Sequence, residues 1–182
     1  GPSAVLVAPN GEGWVSDGHR GGNNRVMKFS SDGELLLQLG GGVQDTSRES
    51  GRFNDPHDLK MDSQGRIFVA DRGNNRIQIF DQDGELLDIW TQFGRPSGIW
   101  IDANDTIYVA DSESLFANSQ NPGWITGIRV GSLRTGIVDY LIHGTVEAYP
   151  NGSNPEGVSV DAAGNVYGAV VSQGGAFVKS SR

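Results

Sequence analysis

The chain has no cysteine. Disulfides and thiolate-held metals are therefore excluded as sources of stability or chemistry. Positive charge is scarce: 14 Lys and Arg stand against 22 Asp and Glu, a formal net charge of −8. Nucleic-acid affinity rests mainly on cations that neutralise phosphates, so this balance argues against nucleic acid as a partner. It argues equally against an anionic membrane surface. No apolar run approaches the roughly 20 residues of a membrane-spanning helix, so membrane insertion is not expected. The opening residues show no signal-peptide pattern, and Gly1-Pro2 reads either as native or as a tag-cleavage scar. The apolar fraction, 36%, is too high for a disordered chain.

What is present is repetition. The stretch 56–80, PHDLKMDSQGRIFVADRGNNRIQIF, has the skeleton Pro-x-x-apolar-x-apolar-Asp-x-x-Gly-x-apolar-aromatic-apolar-Ala-Asp. Degraded copies begin at Pro2, Pro96 and Pro155, as PSAVLVAPNGEGWVSDG, PSGIWIDANDTIYVAD and PEGVSVDAAGNVY. Self-similarity at this spacing is the signature of a repeat architecture. Each copy holds short β-branched and aromatic runs split by turn residues, which predicts an antiparallel meander. Innermost strands are expected at 5–8, 59–61, 98–101 and 157–160. Runs such as IFVA and IYVA are apolar throughout, as expected for sheets covered on both faces.

The expected fold is all-β, a β-propeller of about four four-stranded antiparallel blades in a single domain, at approximately 1–42, 52–94, 95–144 and 153–182. A β-sandwich is the second choice, since it does not require one skeleton in every meander. The fourth blade lacks an outermost strand. The chain is expected to be part of a longer ring; the alternative is that open blade edges pair between chains, a self-association.

Topology locates a candidate site. In a meander the start of the first strand and the end of the second lie at the same end of the blade. The residues after each repeat proline, Ser3, His57, Ser97 and Glu156, are therefore expected around one channel mouth. Asp17, Asp71 and Asp111 end the second strands, and His19, Arg72 and Glu113 follow. The long insertions 41–55, 112–126 and 144–155 fall at this same end, and insertions confined to one face mark the binding face. Leu115, Phe116 and Trp124 are its apolar candidates. His57 fits either a zinc ligand or a channel-lining imidazole bonded to a backbone carbonyl, with Asp58 or Glu156 as further oxygen donors. Arg72 fits a clamp on a substrate carboxylate or a structural ion pair. His19, between Gly18 and Arg20-Gly21-Gly22, reads as an exposed loop residue. The recurring aspartates read as caps for the following turn, and Asn23-Asn24-Arg25 and Asn74-Asn75-Arg76 as left-handed turns with an arginine bridging blades.

These units resemble NHL repeats, a β-propeller family. Phe53-Asn54 before Pro-His-Asp, and Ala-Asp-Arg at 70–72, resemble the peptidyl-α-hydroxyglycine α-amidating lyase group. The resemblance implies a six-bladed ring, a zinc held by three histidines near the channel, cleavage of a hydroxyglycine-extended peptide to an amide and glyoxylate, and a secreted or periplasmic location. It places His57 as one zinc ligand and Arg72 in the active site, and Glu156 joins Arg72 as a candidate catalytic side chain. This sequence departs from the group at Pro155-Glu156-Gly157, where a Pro-His-Asp is expected, and at His19, where a tyrosine is expected. Two functions stay open: a module that binds a peptide, protein or small molecule at the long-loop face, or a zinc-dependent lyase or hydrolase.

Overall fold

The computed structural model describes residues 1–20, 22–42, 48–114, 121–143 and 154–170, and the backbone of 176–180. The chain forms two compact units, Gly1–Trp90 and Thr91–Arg182. The first holds β1 (Pro2–Val7), β2 (Gly13–Asp17), β3 (Arg25–Phe29) and β4 (Leu35–Gly40) in one sheet, and β5 (Pro56–Met61), β6 (Ile67–Asp71), β7 (Arg76–Phe80) and β8 (Leu86–Trp90) in another. The second holds β9 (Pro96–Ile101), β10 (Thr106–Asp111), β11 (Gly127–Ser132) and β12 (Val138–Ile142), then β13 (Pro155–Val160), β14 (Val166–Val170) and β15 (Ala176–Ser180). Every sheet is an antiparallel meander with strands in chain order. Four β-propeller blades result, the fourth with three strands among the described residues. A single 3₁₀ turn, Arg72–Asn74, is the one helical element described.

The innermost strands start at the repeat prolines, three residues earlier than expected in β1 and β5 and two earlier in β9 and β13. A proline lacks the N–H a ladder needs, but the first residue of a strand tolerates it. Directly after each proline the register slips: Pro2 faces Asp17 while Ala4 faces Ser16, and Pro96 faces Asp111 while Gly98 faces Ala110. The same slip lies between Pro56 and Leu59 and between Pro155 and Gly157. Each blade thus carries a β-bulge at one place. Bulges bend the strand and re-aim a side chain.

The skeleton aspartates Asp62, Asp102 and Asp161 build the turn at the other end. One carboxylate oxygen of each accepts two backbone N–H groups, from Gln64 and Arg66, Asn104 and Thr106, and Ala163 and Asn165. The skeleton glycine is needed where this turn crosses positive φ, at +79° for Gly65 and +83° for Gly164. Asp105 takes the same position in the third blade at φ 59°.

In the first unit Trp14, Val26, Phe53, Leu59, Ile67, Val69 and Phe80 form one core between the two blades. In the second, Tyr108, Ile128, Val130 and Val166 do the same. Burial of the middle strands is complete in the second blade, where every residue of β6 and β7 is buried. At the repeat position filled by Leu59, which is 0% exposed, the first blade has Val5, 66% exposed. Leu59 is covered by the blade before it.

The recurring aspartates at the ends of β2, β6 and β10 pair with an arginine of the next strand in their own blade. Arg25 Nε donates to Asp17 Oδ2 at 2.9 Å, Arg76 Nε to Asp71 Oδ2 at 2.6 Å, and Arg129 Nη2 to Asp111 Oδ2 at 2.9 Å. The expectation of an arginine bridging blades is corrected here: Arg76 instead donates to the carbonyls of Arg48, Glu49 and Arg52 in the blade-to-blade link. The capping expectation holds at Asp111, which accepts the N–H of Ser114 from the following turn. Asp71 caps backward, accepting the N–H of Asn54. Asn24 and Asn75 are left-handed, at φ 49° and 53°.

Removing one partner of a buried ion pair strands the other, at a cost of about 3–5 kcal/mol. Asp71→Asn is therefore expected to lower the unfolding free energy by about 3–5 kcal/mol, measured by denaturant titration. Asp161 gives a pH test. Hydrogen bonds from Asn165 and then from Tyr167 lower its carboxyl from 3.8 to about 2. Its contribution to stability is present above pH 3.8 and is lost as pH falls through about 2. A carboxyl NMR titration should place the midpoint near 2, and Tyr167→Phe should move it up.

Candidate functional site

The four residues after the prolines sit on the four bulges, and they divide into two kinds. The two serines are structural. Ser3 Oγ donates to the carbonyl of Pro56 at 2.7 Å, and it lies 2.9 Å from Ser16 Oγ. It thereby ties the first blade to the second. Ser97 is buried, with its Oγ 2.7 Å from Ser112 Oγ. His57 and Glu156 are half-buried and keep part of their surface in solvent.

Around His57 the first unit assembles a polar cluster. The His19 and His57 rings meet edge to face, with centroids 5.0 Å apart and planes at 68°. His19 Nδ1 is buried without a hydrogen bond and lies 3.8 Å from Asp55 Oδ1. Asp55 is held from two sides: the N–H of Arg20 donates to Oδ1 at 3.1 Å, and Arg72 donates to Oδ2 through Nε at 3.0 Å and Nη2 at 2.6 Å. Arg72 is itself buried, with its guanidinium committed to this carboxylate. Asp58 is occupied by Lys60 Nζ at 3.2 Å and by the N–H of Leu59.

Close packing makes this cluster. A Cβ on Gly18 would lie 2.1 Å from Pro56 Cδ, so the end of β2 presses directly on the start of β5. That contact carries the 18–20 loop up to His57. His19 therefore belongs to the cluster and is only partly exposed, where sequence context suggested a free loop. Asp55 gave no signal of its own. Its one distinctive feature, a left-handed φ of 55° just before the proline, is visible only in the structure.

In the second unit Arg95 Nε donates to Glu113 Oε2 at 2.5 Å. The Arg129 guanidinium stacks 4.4 Å from the centroid of Trp124, which is half-buried. Leu115 and Phe116 lie outside the described residues. Glu156 belongs to this unit and His57 to the other. Among the described residues no three His, Asp or Glu side chains converge as a metal-ligand set.

Two clefts lie at the opposite, short-turn end. One of about 440 Å³ is lined by Pro9, Asn10, Met61, Gln64 and Gln82. The other, of about 430 Å³, is lined by Trp100, Asp102, Asn104 and Asp161. The carboxylates of Asp102 and Asp161 are taken up by their own turns and by Tyr108 and Tyr167.

The NHL repeat matches residues 53–80, the stretch that carries His57, Asp71 and Arg72. This one stretch is similar to the NHL repeat, and the sheets of the chain have the form of β-propeller blades. Among relatives, the human NHL repeat-containing protein 3 is 43% identical over 90 residues, which is 49% of this chain and 25% of that protein. A probable peptidyl-alpha-hydroxyglycine alpha-amidating lyase of Caenorhabditis elegans is 35% identical over 80 residues, 43% of this chain and 22% of the lyase. The matches thus span a quarter or less of these relatives' own length. The hydrazine synthase of Kuenenia stuttgartiensis superposes on 98% of this chain and 46% of its own with a TM-score of 0.70 at 16% identity, a likeness of fold alone.

The Gly18–Pro56 contact can be tested. Gly18→Ala is expected to cost about 1–3 kcal/mol through overpacking. Gly13→Ala, where an added Cβ meets nothing within 4 Å, should stay within about 0.5 kcal/mol of wild type. Thermal unfolding of both variants checks this.

Proposed function

We propose that the chain is a binding module that takes a peptide or small molecule at the bulge end of its blades. The observation that carries this reading is the recurrence of the bulge. At one place in every blade the ladder gives up regular pairing to re-aim a side chain, and the long insertions leave from the same end. In the first unit that end presents His57 and His19, both half-buried. In the second it presents Glu113, Trp124 and Glu156. At the opposite end the skeleton aspartates Asp62, Asp102 and Asp161 are spent on their own turns.

A second reading is a metal-dependent lyase or hydrolase. It is supported by the partial likeness to the Caenorhabditis elegans lyase over a stretch of 80 residues. Zinc, when bound, would polarise a substrate oxygen and lower the pKa of a bound hydroxyl. The first unit supplies two imidazoles toward such an ion, and a three-histidine set does not form among the described residues. Arg72 would act there by holding Asp55, and Glu156 would be a proton-handling carboxylate.

Selection from a displayed random-peptide library, run in chelator, tests the first reading. Selected peptides should lose at least tenfold in affinity on His57→Ala or Trp124→Ala. Binders insensitive to both changes, or lost on Trp100→Ala at the opposite end, would overturn it. Incubation with an α-hydroxyglycine-extended peptide and zinc tests the second: release of glyoxylate supports it, and an unchanged peptide sinks it.

A further inference from the structure

We infer that the cleft between the third and fourth blades, walled by Trp100, binds one organic cation, an alkylammonium or guanidinium group. The site lies at the short-turn end of the second unit and does not depend on the bulge end being functional.

Comparison of repeat positions carries the inference. In the first unit each blade sets a cation of its own between a carboxylate and the aromatic side chain of its second strand. Lys28 Nζ lies 5.5 Å from the centroid of the Trp14 ring and pairs with Glu12 at 2.9 Å. Arg66 Cζ lies 5.4 Å from the centroid of Phe68, and its Nε pairs with Asp62 Oδ2 at 2.7 Å. In the second unit the aromatics are Tyr108 and Tyr167, and the skeleton carboxylates are Asp102 and Asp161. The residues at the place of Arg66 are Thr106 and Asn165, and both are neutral. The carboxylate and the ring are kept, and the cation is not supplied.

Among the described residues every donor to Asp102 and Asp161 is neutral: backbone N–H groups, the Asn165 amide and the hydroxyls of Tyr108 and Tyr167. Hydrogen bonds of this kind favour the charged form and leave its charge in place. Tyr108 is the one donor to Asp102 Oδ2, at 3.3 Å, so that oxygen keeps a lone pair for an incoming N–H.

Both carboxylates line a single cleft of about 430 Å³, together with Trp100, Asn104, Val160 and Gly164. Trp100 is half-buried and packs against the core of this unit, which holds its indole at the wall of the cleft. A cation over an indole face is attracted by the ring quadrupole, and indole is the best of the aromatic side chains for this. A neutral ligand would leave both charges unmatched, and an anion would be repelled. The cleft at the same place in the first unit is lined by Pro9, Asn10, Met61, Gln64 and Gln82, without an aromatic ring, and its Asp62 is already paired with Arg66.

NMR titration of the full chain with n-butylammonium chloride tests this. The indole N–H of Trp100 and the backbone amides of Ala163 and Gly164 should shift with saturation, and the shift should weaken as salt is raised. Equal concentrations of 1-butanol and of butyrate should leave them in place. Trp100→Leu should weaken binding about fivefold, read from the Ala163 and Gly164 amides. Asn165→Arg copies the Asp62–Arg66 arrangement, so it should fill the site with the chain's own cation and abolish binding while the fold is kept. Nα-acetyl-lysine methylamide distinguishes the source of the cation: affinity equal to that of butylammonium assigns the cleft to a free amine, and tighter binding assigns it to a lysine side chain of a peptide. Absence of a saturable shift in the wild-type chain overturns the inference. So does an equal response to 1-butanol, or binding that survives Asn165→Arg in a variant whose circular dichroism shows it folded.

Discussion

The buried carboxylate of Asp71 is the point on which the second blade turns. It is fully buried, and burial pushes the carboxyl above its ordinary range. Four donors act against that push: the N–H of Asn54, Asn74 Nδ2, Arg76 Nε and Gln78 Nε2. These come from three segments: the incoming link, the 3₁₀ turn and β7. Arg76 and Gln78 then reach back to carbonyls at Arg48, Glu49 and Arg52. One anion thereby fixes the path of the described end of the link, residues 48–54. A buried ion pair is a poor source of net stability but a strong selector of geometry, because every alternative arrangement leaves a charge unmatched.

The same aspartate in other blades shows how setting changes the role. Asp17 is also buried, yet hydrogen bonds from Asn23 and Arg25 outweigh that burial and hold its carboxyl below the usual range. Asp111 spends one oxygen on the Ser114 N–H and the other on Arg129, which goes on to stack on Trp124. Repetition of a residue type thus preserves the clamp while its partners follow the loop that each blade happens to carry.

Strand number, strand order and the turns were legible from sequence, because each depends on local chemistry. Alternating turn signals and β-branched runs report directly on the backbone. The bulges were not legible. Whether Pro56 opens a strand depends on Asp71 lying opposite it, and a register slip exists only between two strands. The arginine partners were misassigned for a related reason. Spacing shows that Arg76 follows Asp71 by five residues, but only the hairpin's register brings both side chains to one side of the sheet. Of the candidate site, the end of the blade could be read from topology, since the direction of every strand follows from the meander. The contacts among its side chains could not.

Glycine is where sequence context misleads most. The cluster Gly18, Gly21, Gly22 around His19 suggests slack, and slack implies a solvent-facing side chain. Yet the hydrogen of Gly18 is the only substituent that fits, because Pro56 occupies the space a methyl group would need. A glycine needed for close approach and one needed for freedom look alike in sequence, and they have opposite consequences for the neighbouring residue. Here the close approach removes freedom from His19 and delivers it to His57. The bulge after Pro56 and the glycine before His19 are separate departures from regular strand structure, contributed by adjacent blades. Each alone has a local cost, Gly18 in backbone entropy and the bulge in ladder hydrogen bonds. Their product is one pair of imidazoles at a defined distance, which a regular strand pairing at either place would not produce.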